Sequence, residues 1–218
     1  MTAAGAARAA GAVGAGSPLR IAVFASGSGS NFQALAEAIR DTGIPAEIRL
    51  LVCDKPAARV VQRAESLGIP AFVFRPKEYA SREAYETDII GRLEAEGIEL
   101  IVLAGYMRLI TDVLVQPYYG RMINVHPALL PAFPGVNAIR QALDYGTKLA
   151  GVTVHFVDGG MDSGPILAQR AIEIREDESE ESLTERIHAV EHELYPLAVR
   201  WIAEGKVELD GRRVRIRE

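Results

Sequence analysis

Short runs of consecutive apolar residues alternate along this chain with longer stretches whose apolar positions recur every three or four residues. The first run, Ile21-Ala22-Val23-Phe24-Ala25, stops at Gly27, Ser28 and Gly29. From Asn31 onward Phe32, Leu35 and Ile39 share one helical face. Residues 48–53 and 71–74 repeat the strand pattern, and residues 57–67 between them read as a helix that Gly68 ends. Residues 81–96 predict a charged amphipathic helix with Ser81 as N-cap and Gly97 as stop. Residues 100–104 and 121–125 supply a fourth and a fifth strand. Strands alternating with helices predict an α/β fold, a mostly parallel sheet with helices on both faces. The pattern then changes. Residues 152–157 and 166–174 read as two longer strands around the glycine-rich segment 159–164, a pair suited to antiparallel packing. An acidic run, 176–181, leads into a helix reaching Trp201 and Ile202, and residues 207–214 carry the Asp210-Gly211 turn signal of a small hairpin. No internal repeat or domain boundary interrupts the pattern, so residues 18–218 are expected to form a single domain.

Composition narrows the function classes. Of 218 residues, 49% are hydrophobic, enough for a large core. The net charge of -5 argues against general nucleic-acid binding. No apolar run approaches the length of a membrane span. Cys53 is the only cysteine, which excludes an internal disulfide and fits a reducing compartment such as the cytoplasm. Residues 1–17 are almost all Ala and Gly, with Arg8 the only charge. They lack the compact apolar centre of a signal peptide, so a disordered tail is expected.

Three segments carry candidate chemistry. Ser26-Gly27-Ser28-Gly29-Ser30-Asn31 joins the first strand to the first helix, where backbone N–H groups and the helix N-terminus suit a phosphate. It lacks the Gly-Lys-Ser/Thr ending of a P-loop, and Phe32 stands where a dinucleotide fingerprint needs glycine, although Asp54 follows the second strand at the place of a ribose-binding acid. In Ile123-Asn124-Val125-His126-Pro127 strand alternation puts Asn124 and His126 on one side, and Pro127, Pro131, Pro134 and Gly135 stiffen the turn beyond. Taken singly, each of these two residues reads equally well as structural or catalytic. Asp162, in Asp158-Gly159-Gly160-Met161-Asp162-Ser163-Gly164, has an ordinary turn as its plain reading. Together, an amide, an imidazole and a carboxylate suit acyl transfer. The spacing fits neither a calcium loop nor a zinc site. His188 and His192 lack the His-Glu-x-x-His pattern and read as helix-surface or pocket-edge residues, and His155 alternates so as to face the same cavity as His126. Leu103-Ala104-Gly105-Tyr106-Met107-Arg108-Leu109-Ile110 follows the fourth strand. It suits either plain packing or a flat heterocycle at the mouth of the sheet.

In this order, the motifs from about Leu19 to Ile202 resemble the glycinamide ribonucleotide formyltransferase family, folate-dependent enzymes of purine synthesis. Those carrying the resemblance are Ala25-Ser26-Gly27-Ser28-Gly29-Ser30-Asn31, Ser81-Arg82-Glu83-Ala84-Tyr85, Leu103-Ala104-Gly105-Tyr106-Met107-Arg108, Asn124-Val125-His126-Pro127, Val152-Thr153-Val154-His155-Phe156-Val157, Met161-Asp162-Ser163-Gly164-Pro165 and Glu191-His192-Glu193-Leu194-Tyr195-Pro196. The resemblance implies a Rossmann-like formyltransferase fold. It also implies a catalytic trio of Asn124, His126 and Asp162, a substrate phosphate on Gly29, Ser30 and Asn31, and ribose hydroxyls on Glu191. Folate would lie against Arg82, Met107, Arg108, Leu109, Ile110 and Asn124, with Arg82 on the glutamate tail and residues 157–162 closing over the pterin. The implied co-substrate is 10-formyltetrahydrofolate and the acceptor 5'-phosphoribosylglycinamide, with no metal, nucleic acid or membrane, in a monomer or homodimer. The family's Ser before the double Leu of the proline-rich turn is Ala128 here, and no catalytic role rests on it. A methionyl-tRNA formyltransferase would be expected to carry a further C-terminal domain, and a formyltetrahydrofolate hydrolase a regulatory domain ahead of the catalytic one. These, and a non-catalytic nucleotide-binding module, are the rival readings. Within the trio, burial would lower the pKa of His126 and a nearby carboxylate would raise it. Asp162 is expected to prevail, since the reaction needs a donor near neutral pH.

Overall fold

The computed structural model describes residues 17–217. The tail expected over residues 1–17 lies outside them, apart from Ser17. Five strands alternate with helices: β1 (Leu19–Phe24), α1 (Ser30–Thr42), β2 (Ala46–Cys53), α2 (Arg59–Ser66), β3 (Ala71–Val73), α3 (Arg82–Ala95), β4 (Leu100–Leu103), α4 (Asp112–Val115) and β5 (Met122–His126). Then come α5 (Ala138–Tyr145), β6 (Leu149–Phe156), β7 (Ile166–Glu173), the long helix α6 (Glu180–Ala203), β8 (Val207–Asp210) and β9 (Arg213–Ile216). The first seven strands form one sheet in the order β3-β2-β1-β4-β5-β6-β7. β1 to β5 run parallel, whereas β6 is antiparallel to β5 and β7 to β6.

Strand alternation divides the core. Ile21, Val23, Leu51, Cys53, Leu100, Val102, Ile123, Val125, Val152 and Val154 face one layer, with Phe32 and Leu35 of α1, Val60 and Ala64 of α2, and Leu183, Ile187 and Leu194 of α6. Ala22, Phe24, Leu50, Val52, Ile101, Leu103 and Met122 face the other, with Ile89 and Leu93 of α3 and Leu114 of α4. Strands buried on both faces read as continuous apolar runs, which is why β1 to β4 were legible as such. On this second face the β5–β6 edge departs from the rule. Its residues are Asn124, His126, Thr153 and His155, paired Asn124↔His155 and His126↔Thr153. Their covering includes the proline-rich turn after β5 and the loop of residues 157–165, and polar groups line the space between.

Two details differ from the sequence reading. Short α4 and α5 were not anticipated. Each follows an irregular, loop-like segment, and α5 begins after Asn137 in the left-handed region with no side-chain cap. In the β8–β9 hairpin Asp210 pairs with Arg213, so Asp210 ends a strand and the two-residue turn is Gly211-Arg212. Gly211, with φ 58°, takes the first turn position that glycine alone fills without strain.

Candidate active site

Asn124 and His126 project from β5 and His155 from β6, and residues 157–165 fold back across that face to bring Asp162 among them. Asp162 Oδ2 accepts from the backbone N–H of Gly135 at 2.7 Å and lies 3.5 Å from His126 Nδ1. Its Oδ1 lies 3.6 Å from His155 Nε2 and 3.4 Å from Asn124 Nδ2. Asp162 has φ 49°, a left-handed conformation that Asp tolerates better than most residues. A side chain at Gly164 would run into the Phe156 carbonyl, so the return of the loop to β7 requires glycine. The three residues expected to form the catalytic trio are thus brought together.

Their partners fix orientation. His126 is buried, with Nε2 2.8 Å from the Phe133 carbonyl, so one ring nitrogen faces a carbonyl and the other a carboxylate. Only the doubly protonated ring can donate to both. His155 Nδ1 lies 2.8 Å from the Phe156 carbonyl, and its Nε2 is 3.2 Å from Asn124 Nδ2. With Nδ1 donating to that carbonyl, Nε2 faces both the Asn124 amide and Asp162 Oδ1, and Asn124 is held only by long contacts to His155 and Asp162. Bonds that long are readily exchanged for a better acceptor. Burial pushes the Asp162 carboxyl up, but hydrogen bonds from His155 and the Gly135 N–H, with the charges of His126 and His155, outweigh it and leave the pKa lowered. The turn is itself tied to the strands. Thr153 Oγ1 donates to the Ala128 carbonyl and accepts from Leu130 N, and Gln169 Nε2 donates to the Leu130 carbonyl. Ala128 is buried and contributes its carbonyl here.

At the carboxyl end of β1, Gly29 takes φ 74° and leads into α1 with no side-chain cap, leaving the N–H groups of the first turn free for an anion. A Cβ on Gly29 would lie 2.5 Å from Val60 Cγ2, so packing against α2 also demands glycine here. Asn31 Nδ2 donates to Glu191 Oε2 at 2.8 Å, while Asn31 Oδ1 is buried without a partner. Burial pushes the Glu191 carboxyl up, against the Asn31 hydrogen bond and His188, which lower it. His188 and His192 stack on α6 with centroids 6.3 Å apart, and the buried Nε2 of His192 has no partner. Gly29, Ser30, Asn31 and Glu191 therefore form one cluster spanning α1 and α6.

The segment after β4 is open. Met107 and Leu109 are 65% and 56% exposed, unusual for apolar side chains with no covering element. Arg108 Nε donates to Asp54 Oδ2 at 2.7 Å, so this cation faces inward. Arg82 starts α3 and is exposed. It lies one helical turn before Glu86, which accepts from Thr111 N at 2.9 Å, so α3 is pinned beside the end of that segment. Asp54 offers no free edge to a ribose: its side chain is fully buried and both oxygens are taken, by Ser26 and Arg108. Sequence reasoning missed the Phe133 carbonyl, Gly135 N–H, Thr153 and Gln169. The one available signal was polar residues at alternate positions of otherwise apolar β6. Among the described residues no group of three or more His, Cys, Asp or Glu side chains is placed to hold a metal ion.

An open α/β sheet with an amide, an imidazole and a carboxylate converging on one of its faces suits a group-transfer enzyme of the acyl type. The chain belongs to the formyl transferase family, which it matches over residues 19–199. It is 53% identical over 181 residues to the phosphoribosylglycinamide formyltransferase of Bacillus subtilis, covering 83% of this chain and 93% of that one. The crystal structure of glycinamide ribonucleotide transformylase 1 from Symbiobacterium toebii superposes with a TM-score of 0.90 at 44% identity, over 93% of this chain and 96% of that one. The trifunctional purine biosynthetic protein adenosine-3 of Drosophila melanogaster is 45% identical over 85% of this chain, which spans only 14% of that longer protein.

Proposed function

We propose that this protein is a phosphoribosylglycinamide formyltransferase of purine biosynthesis. It transfers the formyl group of 10-formyltetrahydrofolate to the amine of 5'-phosphoribosylglycinamide, giving 5'-phosphoribosyl-N-formylglycinamide and tetrahydrofolate. The observation that carries this reading is Asp162, held by the Gly135 N–H at 2.7 Å with its two oxygens toward His126 and His155. The acceptor amine attacks the formyl carbon, and negative charge develops on the formyl oxygen. Asn124 exchanges one of its long contacts for that oxygen, and His126, facing Asp162, stabilises the same charge. As the new C–N bond forms and the bond to folate N10 breaks, one proton passes from the attacking nitrogen to N10, through His126 or a water held by Asp162. Gly29, Ser30 and Asn31 hold the acceptor's phosphate and Glu191 its ribose hydroxyls. Residues 107–110 receive the pterin, residues 157–162 close over it, and Arg82 faces the glutamate tail.

Both substrates are small molecules, no metal is needed because the formyl group is already activated on nitrogen, and we place the enzyme in the cytoplasm as a monomer or homodimer. No helix among the described residues is long and apolar enough to cross a membrane. Purified protein incubated with 10-formyltetrahydrofolate tests the reading. Tetrahydrofolate released only when the ribonucleotide is present supports transfer. Release without it points to a hydrolase, and no release in either case sinks the assignment.

A further inference from the structure

The strand order β2-β1-β4 sets three loops side by side at one end of the sheet: Asp54 after β2, Ser26 after β1, and residues 105–110 after β4. One hydrogen-bond chain links them. Ser26 N donates to the Gly105 carbonyl at 3.0 Å, and Met107 N donates to Ser26 Oγ at 2.9 Å. That hydroxyl in turn donates to Asp54 Oδ1, and Asp54 Oδ2 accepts from Arg108 Nε at 2.7 Å. The Asp54 side chain is fully buried while that of Arg108 is 41% exposed, so the carboxylate is the fixed end and the arginine the held end. A buried carboxylate is tolerated only when its oxygens are satisfied, and here both partners come from ligand-facing loops. Within the segment Tyr106 and Ile110 pack against the second core, Tyr106 edge-on to Phe24 at 5.3 Å, but the stretch from Met107 to Leu109 between them is largely in solvent. Its conformation depends on these polar ties.

We propose that Asp54 is a positioning residue for the folate side of the reaction. It fixes the pterin-binding segment by holding Arg108 directly and the Met107 N–H through Ser26, and so sets that segment in register with the phosphate loop that Ser26 begins. The inference rests on the assignment of residues 107–110 to folate. Asp54 touches neither substrate, and its effect reaches the reaction through the backbone it anchors.

Asp54→Asn keeps the shape and removes the charge. The expected result is a KM for 10-formyltetrahydrofolate raised about tenfold, the scale of one or two lost hydrogen bonds. The KM for the ribonucleotide should stay within about threefold, since its contacts lie elsewhere. Ser26→Ala breaks the Met107 tie while leaving the Arg108 pair, and should also raise the folate KM. The double variant should fall short of the product of the two effects, as expected of residues in one network. If Asp54→Asn does not fold, Ser26→Ala carries the test by itself. An unchanged folate KM in the folded variants overturns the proposal, as does an equal rise in both KM values. Calorimetric titration of the wild type with tetrahydrofolate separates the two failures: no binding there removes the folate assignment itself, whereas binding retained undiminished in Asp54→Asn removes only the role of Asp54.

Discussion

Asp162 is the residue on which most contacts of the site converge, and its backbone conformation makes that possible. A left-handed φ of 49° turns the carboxylate back onto β5 and β6, where the Gly135 N–H anchors one oxygen. Asp162→Asn keeps the shape but removes the charge that both imidazoles face. Turnover should fall about 100- to 1000-fold with little change in either KM, measured by steady-state kinetics; near-normal turnover would remove the trio assignment. The same substitution tests a linkage. The Asp162 pKa lies below its ordinary 3.8, so the group adds stability above that pH and loses it as pH falls through the lower, folded value. Acid unfolding of Asp162→Asn should lack that contribution. Glu191 has the opposite sign. Its pKa lies above 4.5, so its contribution is full below that pH and declines as pH rises through the folded value. At neutral pH Glu191→Gln should therefore raise the melting temperature. It should also raise the ribonucleotide KM about tenfold, through loss of a charged acceptor. A less stable variant with unchanged KM contradicts both claims.

Elements were legible where a local pattern determines them and obscure where distant segments meet. The apolar runs of β1, β2 and β4, the three-and-four spacing in α1 and the Ser81 cap of α3 each follow from neighbours in sequence, and Ser81 Oγ does accept from Ala84 N at 3.2 Å. For the site, the resemblance named the trio, and alternation had already put Asn124 and His126 on one face. Nothing local says that the loop after β6 folds back over β5, that the Phe133 carbonyl meets His126, or that Asp54 serves Arg108 instead of a ribose. Those depend on which strands are adjacent in the sheet. Tyr195 is a further case. From the middle of α6 its buried hydroxyl reaches the carbonyls of Leu103 at 2.8 Å and Ile123 at 3.0 Å, at the β4–β5 junction beside the site. Its one hydrogen is shared between two strands that a helix would otherwise only cover. Tyr195→Phe should cost about 1–3 kcal/mol, because both carbonyls are buried and lose their donor. Denaturant titration checks it, and a loss below about 0.5 kcal/mol would mean that the strands close without the hydroxyl.

At the scale of the molecule, the proposed binding residues put donor and acceptor on different segments around one sheet, and separable binding is the expected consequence. The Asn31–Glu191 pair spans α1 and α6, whereas residues 107–110 follow β4 and lead to Thr111, which is tied to Glu86 of α3. A ligand that binds only the folded chain raises its stability by about 2.7 kcal/mol at a hundred times its Kd. For a chain of this length that corresponds to a rise in Tm of roughly 5–10 °C. Saturating 5'-phosphoribosylglycinamide and saturating tetrahydrofolate, added singly, should each produce a rise of this size in scanning calorimetry. Asn31→Ala should abolish the rise given by the ribonucleotide and keep that given by folate, because Asn31 lies on the α1 side. Arg82→Ala should do the reverse, and since Arg82 is exposed at the first turn of α3 its own melting temperature should hardly move. A single substitution that erases both rises would mean that the two ligands share one site. Neither substitution affecting either rise would remove both residues from the binding surface.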